Sequence, residues 1–201
     1  VTYSFLDEES VSIDSDDRDY RAMTIEEIAR TLMAINEFEE VANITFARLR
    51  DTDSEYLANE QFSQMDFQAI ADFNGGWASP NWTPTGEVGD LAALTSSTVS
   101  VGISGLEDYG SWSYKTAVHE IGHAVGLPHP GDYNGDGATS YENQAVYAED
   151  TYMYTVMSYW SHTITGGDTF QTVYNDAGES AFIGGYATGL LLHDIAALHR
   201  L

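Results

Sequence analysis

Three of the chain's six histidines, His119, His123 and His129, fall in the stretch AVHEIGHAVGLPHP at 117–130. Residues four apart on a helix share one face, about 6 Å apart along the axis. His119 and His123 can therefore turn two imidazoles toward one ion, with Glu120 displaced around the helix yet close. That is the H-E-x-x-H arrangement of a zinc hydrolase. Gly126 allows a sharp exit from the helix, because a residue free to take positive φ can turn the chain there. The turn can return His129 as a third ligand. Three neutral imidazoles leave zinc an open position for water, which marks a catalytic rather than a structural site. The ion would acidify that water and polarise a carbonyl beside it. Glu120 would take the water's proton during attack and pass it to the leaving amine. A lone histidine on an apolar helix face is ordinarily a core residue, but this pattern fixes five positions over eleven residues. No serine triad or phosphate-cradling glycine loop competes with it.

The helix that carries the motif is expected from Ser111 or Ser113 to Val125, with Ala117, Val118, Ile121 and Val125 on its apolar side. Thr24 and Glu27 form a T-x-x-E capping box that opens a helix to about Glu40, on which Ile25, Ile28, Leu32 and Ile35 mark one face. Residues 1–6 (VTYSFL) read as a strand and Asp7 to Asp19 as a solvated acidic loop. NITFARL at 43–49, DFQAIADF at 66–73 and TVSVGIS at 98–104 alternate as half-buried strands. Asn74-Gly75-Gly76 is a turn signal. The four prolines, at 80, 84, 128 and 130, predict loops in both places. Residues 130–188 lack periodicity and are expected to form an irregular lobe, closed by a helix at about 188–200 with Leu190, Leu191, Ile195 and Leu198. The organisation is one domain, with an N-terminal lobe at 1–127 and a C-terminal lobe at 128–201.

At 201 residues, 43% of them hydrophobic, the chain can bury one substantial core. No apolar run reaches membrane-spanning length. VTYSFLDEES has neither a basic nor an apolar signal-peptide region, and a mature or trimmed form would look the same. Acidic residues outnumber basic ones 32 to 7, for a formal charge of −25. Nucleic acid and anionic membrane surfaces are thereby disfavoured as partners. The excess fits solubility, adaptation to salty water or a need for bound cations. Cysteine is absent, which excludes disulfides, thiolate ligands and a cysteine nucleophile.

His119 to Pro130, followed by GDY at 131–133, YAEDT at 147–151 and TVMSYW at 155–160, resembles the serralysin-type metzincins. Proline directly after the third histidine is that family's usual choice, VMSYW resembles its Met-turn, and LLHDIAALHRL at 191–201 resembles the helix that closes its catalytic domain. The resemblance implies that Met157 forms an apolar floor beneath the ligands. It implies that Tyr159 is a fifth zinc ligand in the resting site and then stabilises the oxyanion. The fold it implies is α+β, a twisted, mostly parallel sheet with one antiparallel edge strand above a horizontal cleft. That edge would bind the substrate backbone by strand addition. Here the edge is placed near Gly76 to Pro80, with Gly76, Trp77 and Ala78 as the substrate segment. The activity implied is that of a secreted, monomeric zinc endopeptidase acting on extended proteins or peptides, with a small proteinaceous inhibitor as a further partner. The competing readings are a catalytically weak zinc-binding interaction module related to metzincins, and a zinc hydrolase of non-peptide amides. The intact set of Glu120, three histidines and Tyr159 favours catalysis.

Members of that family usually continue into a calcium-binding β-roll of glycine- and aspartate-rich nonapeptides. The lone GGD at 166–168 is not such a repeat, so the expectation is a cleaved catalytic domain or a roll-less relative. Asp132, Asn134 and Asp136, with Gly137 next, read D-x-N-x-D-G, the opening of a calcium loop. The twelfth position is Asn143, with Glu142 one place early, and a polar turn is the alternative. His162, His193 and His199 have no metal spacing and are expected at the surface, at caps or behind the ligands. Asp194 is expected to buttress the Met-turn or a ligand histidine.

Overall fold

The computed structural model describes residues 1–11, 18–49, 63–84, 92–102, 106, 108–137, 140–168, 170–174, 177–178 and 180–201. Its main sheet has the strand order β3-β1-β4-β6-β5, built from β1 (Thr2–Phe5), β3 (Ala47–Arg48), β4 (Met65–Ile70), β5 (Gly76–Pro84) and β6 (Ala92–Gly102). The β3–β1, β1–β4 and β4–β6 pairs are parallel, and β5 lies antiparallel to β6 at the sheet's end. A short β2 (Tyr20–Arg21) adds antiparallel to β4 at Ala69 and Ile70, beyond the residues β1 pairs with. The expected α+β, mostly parallel sheet with an antiparallel edge is therefore present. β4 and the C-terminal half of β6 are almost wholly buried, as interior parallel strands must be.

Two helices shape the core. Helix α1 (Ile25–Val41) begins at the predicted capping box: Glu27 N–H donates to Thr24 Oγ1 at 3.3 Å and Thr24 N–H to Glu27 Oε2 at 2.8 Å. Its buried face differs from the apolar stripe of the sequence. Ile25 is 81% exposed, while Thr31, Ala34, Ile35 and Phe38 face inward with Glu27. Buried Glu27 is compensated by a two-pronged contact from Arg21, at 2.7 and 3.0 Å, so the polar cap rather than Ile25 sets the helix's rotation. Helix α2 (Trp112–Ala124) carries the histidine motif and starts where Ser111 Oγ accepts Tyr114 N–H at 3.0 Å. It packs on β5 and β6, with α1 alongside. Ala117, Val118, Ile121 and Phe38 join Phe5, Phe67, Val99 and Val101 in one apolar cluster.

Several expectations shift. Pro80 and Pro84 lie inside β5 rather than in a loop. An edge strand tolerates proline where the missing N–H would face outward. Ala78 sends its N–H to Glu120, and Pro80, two residues on, has the same phase along the strand. The 43–49 segment pairs only at Ala47–Arg48, exposed at the opposite edge. The 98–104 strand begins earlier, at Ala92, and residues 103–105 lie outside the described ones, as do 12–17 of the acidic loop.

The C-terminal lobe is not wholly irregular: after the single turn α3 (Tyr141–Gln144), strands β7 (Phe170–Tyr174) and β8 (Ser180–Gly184) form an antiparallel pair. The last helix, α4, is shorter than expected, Leu192–Leu198, because the chain is extended at Leu191, whose N–H is taken by Asp194 Oδ2 at 2.9 Å. No helix among the described residues is long and apolar enough to cross a membrane.

Candidate metal centre

Helix α2 presents His119 and His123 one turn apart. The chain then leaves the helix through Gly126, whose φ of +109° is the left-handed geometry expected there. His129 swings back as a result: its Nε2 lies 3.0 Å from that of His123 and 3.2 Å from that of His119. The opposite edges of the rings explain what these nitrogens carry. His119 Nδ1 is 2.7 Å from the Val156 carbonyl, and His123 Nδ1 is 2.7 Å from the Leu127 carbonyl. A carbonyl only accepts, so each Nδ1 holds the ring proton and each Nε2 exposes a lone pair. His129 likewise donates to the Tyr133 carbonyl.

Three lone pairs facing one another repel unless a cation lies among them. They stand near the spacing of about 3.3 Å that nitrogen ligands take around one tetrahedral zinc. The residues thus fit a zinc ion, and among the described residues this is the one cluster of three or more metal-ligating side chains. Burial keeps all three imidazoles below the ordinary histidine value, His129 at about 4, so they are neutral and ready to ligate at neutral pH.

Met157 packs against the ligand-bearing helix. It is 2% exposed and lies directly beneath α2 at Gly122, where an added Cβ would stand 2.7 Å from its sulfur. Any larger residue at 122 would force the Met157 side chain to shift. Asp194 meets its expectation. Its Oδ1 accepts from Thr155 Oγ1 at 2.5 Å, and its Oδ2 accepts from Val156 N–H at 2.9 Å. Since the Val156 carbonyl orients His119, Asp194 supports the ligand through the backbone of one residue, Val156.

Glu120 is 5% exposed beside the cluster, and burial pushes its carboxyl up to about 8, against the opposing charge of Lys115 and a hydrogen bond from Ala78 N–H. That bond places the predicted segment Gly76, Trp77 and Ala78 on the sheet's outer edge, next to the carboxylate. Tyr159 packs edge-on to His129, ring centres 4.5 Å apart, and its hydroxyl accepts Gly135 N–H at 3.2 Å. Burial raises its phenol, which stays protonated and able to donate.

In the 132–137 turn, the Asp132 carbonyl accepts from Gln144 and the Asn134 carbonyl from Gly137 N–H. The Asp136 side chain lies outside the described residues. His199 donates to the Val41 carbonyl at the end of α1, a capping role, and His193 stacks on Tyr154.

Two groups escaped the sequence reading. Tyr133 stacks on His129 at 5.2 Å and is held by Asp150, its hydroxyl donating at 2.8 Å. Lys115, one turn before His119, is 4% exposed, and burial brings its ammonium down to about 7 despite the charges of Glu120 and Asp194. The available signal was compositional: it is the chain's only lysine.

Residues 12–171 match the reprolysin model of metallo-peptidase family M12. The chain is 35% identical over 204 residues to serralysin C of Dickeya chrysanthemi, an alignment covering 100% of this chain and 38% of that protein. It is 31% identical over 204 residues to metallopeptidase AprA of Pseudomonas marginalis, covering 100% and 39%. Among solved structures, myroilysin aligns with a TM-score of 0.39 and 16% identity, covering 100% of this chain and 92% of that one. The chain thus spans 38–39% of the length of the two curated relatives.

Proposed function

The chain belongs to metallo-peptidase family M12 as a serralysin-type metzincin catalytic domain, and from that footing we propose that it is a zinc endopeptidase cleaving proteins in extended conformation. The observation that carries this reading is the convergence of three Nε2 lone pairs beside a buried glutamate at the free edge of a sheet. His119, His123 and His129 would hold the zinc. Bound there, the ion supplies a Lewis acid that activates water and polarises a carbonyl.

This chain's own groups do the rest. The outer edge of β5 offers backbone groups to an incoming strand, which adds in the antiparallel sense to complete the ladder. Glu120 accepts the proton of the attacking water on its carboxylate and returns it to the leaving nitrogen. Its high proton affinity reflects burial, and a cation among the neighbouring imidazoles would favour the ionised form it needs. Tyr159, held as a neutral phenol, donates to the oxygen that gains charge as the carbonyl is attacked. Secretion belongs to the same proposal and rests on the serralysin likeness.

Metal removal tests the reading. Treatment with 1,10-phenanthroline should abolish digestion of a denatured proteome, and stoichiometric zinc should restore the same cleavages. Digestion that persists in the metal-free protein would contradict it.

A further inference from the structure

The only lysine among 201 residues is buried in the wall of the cleft. Lys115 Nζ lies 4.5 Å from the ring of Trp112 and 4.1 Å from that of Tyr152. Among the described residues no carboxylate comes within ion-pair distance of it and no hydrogen bond reaches it. Ring faces soften the burial of an ammonium but do not replace a counter-ion. Carboxylates are not scarce in a chain with 32 acidic residues, so the vacancy beside Lys115 is a property of the site.

That vacancy opens into a pocket of about 320 Å³ walled by Trp112, Lys115, Tyr152 and Trp160, with His119 and Glu120 on its catalytic side. A second pocket lies along β5 at Ala78, Trp82, His123 and His129, and the two share Gly76, Glu120 and Tyr159. The cleft therefore runs along β5 with Glu120 at its division. A strand added antiparallel to β5 travels from the Trp82 end toward Gly76. The residue following the scissile bond then meets the lysine pocket.

We propose that Lys115 makes this pocket a subsite for an acidic side chain, so that cleavage falls preferentially on the amino side of glutamate or aspartate. The inference rests on the endopeptidase reading for the direction of the substrate. An acidic side chain supplies a counter-ion within ion-pair reach of Nζ in an aromatic-walled space, where Glu120 and Asp194 act only from farther away. An apolar one fills the space but leaves the ammonium buried and unpaired, and a basic one adds repulsion.

Quenched fluorescent peptides that differ only in the residue after the scissile bond (Glu, Gln, Leu or Lys) test this. For the zinc-loaded wild type, kcat/KM on the Glu peptide should exceed that on the Gln peptide by roughly 20-fold or more, the scale of a buried charge pair. Lys115→Met should bring that ratio to about one, and Lys115→Arg should keep the acidic preference. Equal rates on Glu and Gln or Leu peptides, or an acidic preference that survives Lys115→Met, would overturn the assignment. Labelling with ¹³Cε-lysine gives a single side-chain signal that reads the pocket without hydrolysis. It should move on adding a short peptide with N-terminal Glu and stay in place with N-terminal Gln. A signal indifferent to the Glu peptide overturns the subsite even if no peptide is cut. A signal that moves while nothing is cut upholds the subsite and contradicts the peptidase reading instead.

Discussion

Each histidine of the triad commits one ring nitrogen to a backbone carbonyl and turns the other toward its neighbours, and this has a consequence for stability. Burial holds all three imidazoles below the ordinary value of 6.5, with His129 at about 4. Between those values these rings bind more protons in the unfolded chain than in the folded one. In the metal-free protein the histidines therefore take stability away as pH falls from about 7 to 4. Glu120, whose buried carboxyl is raised from 4.5 to about 8, adds stability as pH falls between those two values. With Glu120→Gln in the background, the melting temperature should drop as pH falls from about 7 to 4. His129→Gln should flatten part of that slope, and a slope unchanged by the substitution would remove His129 from the account. The ligands and Glu120 are legible in the sequence because helix geometry turns a four-residue spacing into shared direction. Lys115 is not, since a single lysine on a helix ordinarily reads as a solvated residue. Its meaning comes from Tyr152, which packs against Trp112, and Trp160, which a distant turn brings to the same pocket.

At the scale of elements, α4 reaches the metal centre through one carboxylate. Asp194 gathers Leu191 N–H, Val156 N–H and the Thr155 hydroxyl, fixing the start of α4 and the Met-turn together. Asp194→Ala should lower the melting temperature and weaken zinc affinity by roughly 10–100-fold in a chelator competition, because the Val156 carbonyl that orients His119 loses its anchor. Lowered stability with unchanged zinc affinity would make Asp194 a folding residue only. This link was readable from the likeness of LLHDIAALHRL to a closing helix, whereas the edge strand was harder to see. Pro80 and Pro84 argue against a strand until one knows that β5 has a free side and that Pro80 falls in the outward phase. The buried face of α1 was likewise hidden, because Glu27 enters the core only with Arg21 beside it. The β7–β8 pair carried no alternation to announce it.

For the molecule as a whole, one apolar core carries both lobes' contributions: Val156 and Met157 from the C-terminal half pack in the same cluster as Phe5, Phe38 and Ile121. The cleft lies where the sheet's free edge, α2 and the Met-turn meet, so no single element contains the site. A formal charge of −25 surrounds a cleft whose wall holds the chain's only lysine. The two curated relatives extend well beyond this segment. The central claim is that Glu120 moves the proton at a zinc site built from His119, His123 and His129. The most direct measurement is cleavage of a denatured protein by zinc-loaded wild-type and Glu120→Ala chains, each assayed for bound metal. The account predicts equal zinc content and a rate lower by roughly 10²–10⁴-fold in the variant; equal rates at equal zinc content would contradict it.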